Sequence, residues 1–77
     1  MAGPMRYTIV IERSPRNYSA YVPDLPGCVA TGASEAEVIR GISEAIRYHI
    51  ESLCEHHEPV PEPNCTSTVI DVVALAG

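Results

Sequence analysis

The sequence predicts a small α+β domain of the order β-β-β-α-β, in which one helix covers a face of a three-stranded antiparallel meander. Apolar residues alternate with polar ones near the N-terminus, a proline-rich turn separates two strand-like stretches, and apolar residues then recur at helical spacing. The 77 residues are expected to form a single domain. A chain this short buries little apolar surface alone, so we expect a homodimer or larger homo-oligomer.

The first strand is predicted between Arg6 and Arg13, where Tyr7, Ile9 and Ile11 alternate with their neighbours across the two sides. Residues 1–5 before it resemble a flexible leader. The turn cluster at residues 14–17 is short enough for a hairpin, so the second strand pairs antiparallel with the first.

A proline-rich turn is the centre of the chain. The β-branched and aromatic stretch from Tyr18 to Val22 is predicted to be a strand, and the two prolines that follow stop it because neither can donate to a ladder. Residues 28–31 are the predicted returning strand. Asp24 is expected to accept hydrogen bonds from nearby backbone amides, and the glycines are interpreted as turn residues. The motif residues are Pro23, Asp24, Leu25, Pro26, Gly27, Cys28, Gly32, Ser34 and Glu37.

The helix is predicted from Ser34 to about Cys54. The Ser34 hydroxyl can accept from the Glu37 amide while the Glu37 carboxylate reaches back. Gly41 lowers helix propensity, so a close backbone approach there is an open alternative. The apolar positions form one broad stripe that is predicted to cover the sheet. Buried positions on it are expected to be Ile42, Ile46, Ile50 and Leu53.

A proline-rich connection is predicted over residues 58–65, and a last strand over residues 66–74. This strand has more apolar side chains than one helix stripe and one sheet face can cover. It is therefore the predicted contributor to an oligomer interface, with Asp71 pointing to solvent or pairing with an arginine. The interface residues are Val69, Ile70, Val72 and Val73.

The run Tyr-x-Ala-x-Val-Pro-Asp-Leu-Pro-Gly-Cys-Val-Ala-Thr-Gly, the helix with Glu37 and Ala45, and the prolines at residues 59–63 resemble the HicB-like antitoxin family. The resemblance covers about residues 6–73 and implies the N-terminal, partial ribonuclease-H-like domain of that family. It also implies a non-catalytic domain and a basic, RNA-cleaving HicA-like toxin as partner. The DNA-binding C-terminal segment of full-length antitoxins has no counterpart here, so a stand-alone domain is expected.

Charge and cysteine content limit the environment and the partners. The formal charge of −5 argues against direct binding of nucleic acid or an anionic membrane and is compatible with a basic protein partner. Three cysteines without paired spacing, no secretory leader and no apolar run of transmembrane length favour the cytoplasm. No cofactor is expected, since phosphate-binding glycine loops are absent from the sequence.

Catalytic and metal sites are the less favoured interpretations. A ribonuclease-H-like reaction needs carboxylates that converge on divalent metal, and Glu12 and Asp71 are the few acids predicted on strands. Cys54, His56 and His57 lack the paired spacing of a metal site and suit a helix end instead. Cys28 has no histidine placed to activate it and is interpreted as a small buried hydrophobe.

Three functions therefore stay open from the sequence. The leading one is a binding module that occludes a HicA-like toxin. A self-assembling protein without a toxin and a metal-dependent nuclease are the alternatives, the nuclease being the least favoured. A short basic reading frame beside the gene would favour the first.

Overall fold

The computed structural model describes residues 5–74. Residues 1–4 of the predicted leader lie outside the described residues, as do residues 75–77. The sheet has the order β1-β2-β3 with both pairs antiparallel, which confirms the predicted meander and the α+β class. The elements are β1 (Val10–Arg13), β2 (Tyr18–Tyr21), β3 (Val29–Gly32) and α1 (Glu35–Glu55).

The strand register gives the sheet two unlike faces. Ala20 of β2 lies between Ile11 of β1 and its partner Ala30 of β3, and this row faces the helix. The adjacent row, Val10-Tyr21-Val29, points to the opposite face because successive side chains alternate. Tyr21 and Val29 there are 42% and 65% exposed. The helix therefore covers one face of the sheet.

The helix begins where the sequence predicts it. The Ser34 hydroxyl accepts a hydrogen bond from the Glu37 amide at 3.1 Å. The Glu37 carboxylate accepts one from the Ala33 amide at 2.8 Å, one residue before the usual capping-box partner. These bonds satisfy two backbone donors at the turn from β3 into α1.

The core lies between the sheet, the first half of α1 and the proline-rich turn. Val38 and Ile42 of the predicted stripe are fully buried. The prediction of equal burial further along was wrong, because Ile46, Ile50 and Leu53 are only partly buried. The 21-residue helix is about 32 Å long, whereas four-residue strands span about 13 Å, so its second half extends beyond the sheet. The buried residues are Ala20, Val22, Leu25, Cys28, Val38 and Ile42.

The helix ends in a Schellman arrangement. The Glu58 amide donates to the Leu53 carbonyl at 2.8 Å, and the His57 amide donates to the Cys54 carbonyl at 3.2 Å. The geometry requires a left-handed residue after the cap, and His57 adopts it with φ of +57°. His56 completes the end with a ring nitrogen 2.7 Å from the Ser52 carbonyl oxygen. A side chain thus occupies a position that glycine fills most easily.

Two strand predictions fail in the single chain. No strand forms among residues 58–74, although residues 66–74 were predicted as one. The first strand begins at Val10 rather than Arg6, because Val10 pairs with Tyr21 and the opposite chain turns away after that residue. Residues 5–9 therefore have no strand opposite them.

Candidate functional site

The proline-rich motif folds as two consecutive turns. In the first, the Leu25 amide donates to the Val22 carbonyl at 3.1 Å, and Pro23 occupies the second turn position that its fixed φ favours. This turn buries Leu25 completely. It leaves Asp24 at the tip, between the two prolines, where the residue is half-buried.

The second turn returns the chain to the sheet. The Cys28 amide donates to the Leu25 carbonyl at 3.1 Å, and Gly27 has the positive φ of +83° that the third position of a type II turn requires. The Val22 amide then donates to the Cys28 carbonyl at 3.2 Å and closes the loop. Burial raises the pKa of the Cys28 thiol, in agreement with its interpretation as a small core residue.

Asp24 is the centre of a long-range clamp. Its Oδ2 accepts from the Asn64 and Cys65 amides, both at 3.1 Å, and its Oδ1 accepts from the Cys65 thiol at 3.4 Å. The sequence predicted bonds to nearby amides, and this was wrong in location because the bonded amides lie 40 and 41 residues away. The turn holds the segment that follows the helix.

Two side chains of the segment before β1 hold the same region. The Tyr7 hydroxyl donates to the Pro61 carbonyl at 2.6 Å, and the Thr8 hydroxyl donates to the Cys65 carbonyl at 2.6 Å. Alternation placed Tyr7 and Thr8 on a strand but gave no signal for these contacts. Each contact satisfies a backbone carbonyl of a segment that forms no strand ladder of its own among the described residues.

The electrostatics of the clamp follow from these bonds. The Cys65 amide is the main cause that lowers the pKa of Asp24, because a hydrogen bond to the carboxylate favours its charged form. The neighbouring carboxylate raises the pKa of the Cys65 thiol by accepting its proton in a hydrogen bond. Burial, followed by the charge of Glu62, raises the pKa of Tyr7. At neutral pH the donors and the acceptor are therefore in complementary states.

The two glycines Gly32 and Gly41 differ in how closely other atoms approach them. Gly32 lies where β3 turns toward α1, and a Cβ added to it would lie only 2.8 Å from the Val38 backbone nitrogen. Gly41 is different, since a Cβ there would meet Ala30 Cβ at an ordinary 3.5 Å. A close approach of helix and sheet was an open alternative at Gly41, but the structure places it at Gly32.

Acidic side chains are concentrated on the helix and the segment after it. Residues 34–62 hold seven carboxylates and two arginines, a balance of −5, whereas residues 5–33 hold three arginines and two carboxylates, a balance of +1. Glu44, Glu51 and Glu55 lie on one exposed side of the second half of α1, with Tyr48 between them. Tyr48 is 59% exposed, and the Arg47 guanidinium lies 5.3 Å from its ring centre. We call Glu44, Glu51 and Glu55 the acidic helix surface.

The two acids considered for nuclease chemistry belong to different segments of the chain. Glu12 lies exposed in β1 and Asp71 exposed in the C-terminal segment. Within residues 5–74, no three histidine, cysteine or carboxylate side chains are grouped so that they could hold a metal ion. No helix in the same range combines the length and the apolar character that a membrane span requires.

The motif and the fold agree with a known family. The model of the HicB_like antitoxin of bacterial toxin-antitoxin systems matches residues 7–76. The chain belongs to this family. The match includes the two-turn motif, the helix, and both segments that the Asp24 clamp joins.

Relatives and a solved structure extend this result. The chain is 39% identical over 67 residues to the UPF0150 protein Ta0767 of Thermoplasma acidophilum, covering 86% of this chain and 97% of that protein. It is 40% identical over 60 residues to an uncharacterised 14.9 kDa protein of Haemophilus phage HP1, covering 78% of this chain and 45% of the phage protein. A chain of the HicA3 and HicB3 toxin-antitoxin complex superimposes with a TM-score of 0.67 at 32% identity, covering 78% of this chain and 70% of that one.

Proposed function

We propose that this HicB-like chain is a non-catalytic antitoxin of the cytoplasm that binds and neutralises a HicA-like, RNA-cleaving toxin. The family match over residues 7–76 carries the proposal. The similarity to a chain from a HicA3 and HicB3 complex supports a protein partner of that kind. The charge distribution of the chain supports a more specific proposal about how the toxin binds.

The acidic helix surface is the proposed contact with the toxin. An enzyme that cleaves RNA must attract phosphates, so its substrate-binding surface is basic. Glu44, Glu51 and Glu55 present carboxylates along one side of a helix, Glu44 two turns and Glu55 one turn from Glu51. Exposed charge of this sign accelerates association with a basic surface and competes there with RNA phosphates.

The exposed Tyr48 gives this surface an apolar anchor among the charges. Tyrosine is enriched in protein interfaces because it combines a large rigid ring with a polar tip, and this ring is more than half exposed in the single chain. Arg47, which packs against it, is one of the two arginines of the helix. Neutralisation would then combine steering by charge with burial of one aromatic side chain.

The test is a charge reversal on the surface with a matched control. The probe is a HicA-like toxin, taken from the reading frame beside this gene where that frame encodes one, purified and mixed with each variant at two salt concentrations. Glu51→Lys and Glu55→Lys are expected to weaken binding at least about tenfold, a loss of about 1.4 kcal/mol each. Glu12→Lys makes the same charge change on β1 and is expected to leave binding within about twofold.

Protection of RNA from cleavage by that protein is the functional readout. Wild-type chain is expected to stop the cleavage and Glu51→Lys to restore it at equal concentrations. Binding that survives both helix variants but fails with Glu12→Lys would place the contact on the sheet. Absence of binding by the wild-type chain would reject the antitoxin function.

The non-catalytic part of the proposal has its own test. Purified chain with magnesium or manganese is expected to leave RNA and RNA–DNA hybrids intact, because Glu12 and Asp71 do not share a site with a third ligand. Cleavage that disappears in Glu12→Ala or Asp71→Ala would favour the nuclease instead.

A further inference from the structure

An open cavity lies where the β1–β2 hairpin turns, next to the start of the helix. It is lined by residues 13–18 and by Ala33, which precedes the Ser34 N-cap. Its volume of about 380 Å³ is within the range of small-molecule sites in proteins. We call it the hairpin cavity. It shares no residue with the acidic helix surface or with the Asp24 clamp.

Two arginines make the hairpin cavity the basic part of an acidic molecule. Arg13 and Arg16 are two of the five basic residues in a chain whose formal charge is −5. In the described part of the chain, the residues that line the cavity include no carboxylate. Glu12 precedes Arg13, but alternation directs it to the opposite face of the sheet. The Glu37 carboxylate near Ala33 already accepts a hydrogen bond from the Ala33 amide at 2.8 Å.

Strand pairing places one arginine beside an aromatic ring. Arg13 and Tyr18 are partners across the β1–β2 ladder. Their side chains point to the helix side of the sheet, because each lies two residues along its strand from the Ile11–Ala20 pair. Tyr18 also packs against the core, which holds its ring in the wall of the cavity. The cavity therefore combines a cation with an aromatic surface.

Hydrogen bonds within the turn hold the second arginine. The Ser14 amide donates to the Asn17 carbonyl at 2.9 Å, and the Ser14 hydroxyl lies 2.8 Å from Asn17 Oδ1. Pro15 has a fixed φ between them. This constrained turn lowers the entropy that the chain would lose when Arg16 binds a ligand. Because Ser14 and Asn17 bond each other, the two guanidinium groups are the charged donors that the cavity presents.

The chemistry of these side chains favours a phosphate group. A guanidinium is always charged and donates paired hydrogen bonds to the oxygen atoms of phosphate. The Tyr18 ring offers an apolar face to a planar group, and the cavity has more room than inorganic phosphate fills. A long RNA strand suits the site less well, since the rest of the chain is acidic and the cavity has only two basic residues.

We infer that the hairpin cavity binds a small phosphate-bearing molecule of nucleotide size. Arg13 and Arg16 hold the phosphate, and the planar part of the ligand lies against Tyr18. The site does not depend on a glycine-rich loop, because the hairpin itself brings the two arginines to one cavity. It is independent of toxin binding, which uses the acidic helix surface on another part of the molecule.

The test is a nuclear magnetic resonance titration of the full chain at constant ionic strength. The probes are adenosine 5′-monophosphate, inorganic phosphate, adenosine, and a short RNA with hydroxyl groups at both ends. Adenosine 5′-monophosphate is expected to cause saturable shifts confined to residues 13–18 and Ala33. Inorganic phosphate is expected to shift the same signals at higher concentration, and adenosine is expected to bind at least about tenfold more weakly than its monophosphate.

Three variants assign the phosphate contact. Arg13→Gln and Arg16→Gln are each expected to weaken binding of adenosine 5′-monophosphate at least about fivefold. Arg6→Gln is the matched control, because it removes the same charge from an exposed position outside the cavity, and it is expected to leave affinity within about twofold. Unchanged Val38 and Ile42 amide signals show that each variant keeps its core.

Four results would overturn the inference. The first is absence of saturable shifts with adenosine 5′-monophosphate up to about ten millimolar. Equal binding of adenosine would remove the phosphate from the contact. Equal losses in Arg6→Gln and Arg16→Gln would reduce the binding to general charge attraction. Tighter binding of the RNA, with shifts beyond residues 13–18 and Ala33, would replace the small ligand by a nucleic acid strand.

Discussion

Strand β1 and the segment of residues 66–74, which we call the tail, share a nearly identical run of three residues but have different structures. Val10-Ile11-Glu12 lies in the sheet, whereas Val69-Ile70-Asp71 is exposed and belongs to no strand. β1 is followed by a four-residue turn that brings β2 alongside it. The tail instead follows the proline-rich connection, and that connection is clamped to Asp24. The two stretches therefore differ in structure because only β1 has another strand beside it in the described chain.

Strand propensity therefore acts only where the chain finds a partner strand. A β-branched run is stabilised by backbone pairing and by cross-strand neighbours, and both are absent when no second strand is adjacent. Residues 10–55, which we call the body, and the tail are therefore expected to respond differently to substitution. Changes in the body are expected to alter folding, and changes in the tail are expected to alter self-association.

The largest expected effect comes from Leu25, whose side chain is fully buried beneath the two-turn motif. Leu25→Ala is expected to lower the free energy of unfolding by about 2–5 kcal/mol, because it leaves a cavity that the proline-locked turn cannot close. Chemical denaturation followed by circular dichroism measures it. Val69→Ala, at a 91% exposed tail position, is the control and is expected to change unfolding of the monomer little.

A pair of glycine substitutions sharpens the comparison inside the body. Gly32→Ala is expected to destabilise the chain by roughly 1–3 kcal/mol, because its Cβ would lie 2.8 Å from the Val38 backbone nitrogen in the first turn of the helix. Gly41→Ala is expected to stabilise it by about 1 kcal/mol, since its Cβ meets Ala30 at an ordinary distance and alanine favours a helix. If both substitutions shifted the denaturation midpoint in the same direction from wild type, the proposed helix–sheet contact at Gly32 would be contradicted.

The helix end allows a smaller gain. His57→Gly is expected to raise the free energy of unfolding by about 1 kcal/mol, because glycine adopts the positive φ of this position without the Cβ penalty. A melting temperature that falls would show that the imidazole makes a contact that outweighs its strained backbone.

The smallest effect on global stability is expected at the Asp24 clamp, which joins body and tail. The pKa of Asp24 is lowered in the folded chain, so its contribution is present above the unfolded value of about 3.9 and is lost as pH falls through the lower folded value. The pKa of Cys65 is raised, so its contribution is present below about pH 8.5 and is lost as pH rises through the folded value.

Nuclear magnetic resonance can follow this clamp through the Asn64 and Cys65 amides. Their signals are expected to titrate together below pH 4 and to move at neutral pH in Asp24→Asn. Asp71→Asn is the matched control and is expected to leave them in place. If the Asn64 and Cys65 amide signals did not change in Asp24→Asn, Asp24 would not bind these amides in solution.

Much of the body could be predicted because its signals are local. Ser34 and Glu37 are three residues apart, and Pro26-Gly27 forms a type II turn by its own conformational preferences. The buried part of the helix stripe was predicted at Ile42. It was overextended to Leu53, because periodicity does not reveal where a sheet ends.

The clamp and the tail could not be predicted in the same way. Nothing in the neighbourhood of Asp24 indicates that its carboxylate binds amides 40 residues later. Tyr7 and Thr8 show only the alternating pattern of a strand, and this pattern does not predict which groups their hydroxyls bond. The tail was predicted as a strand from composition, and composition does not say whether the partner lies in the same chain.

Amide hydrogen exchange of the full chain at several concentrations tests the central claim most directly, since it reports backbone pairing in body and tail separately. Residues 10–13, 18–21 and 29–32 are expected to be protected at every concentration. Protection of residues 68–73 is expected to appear as the concentration rises, because a second copy supplies the missing partner, and to be lost in Val72→Lys. Protection of residues 68–73 in a monomer would contradict the account, because the tail would then have found its partner within its own chain.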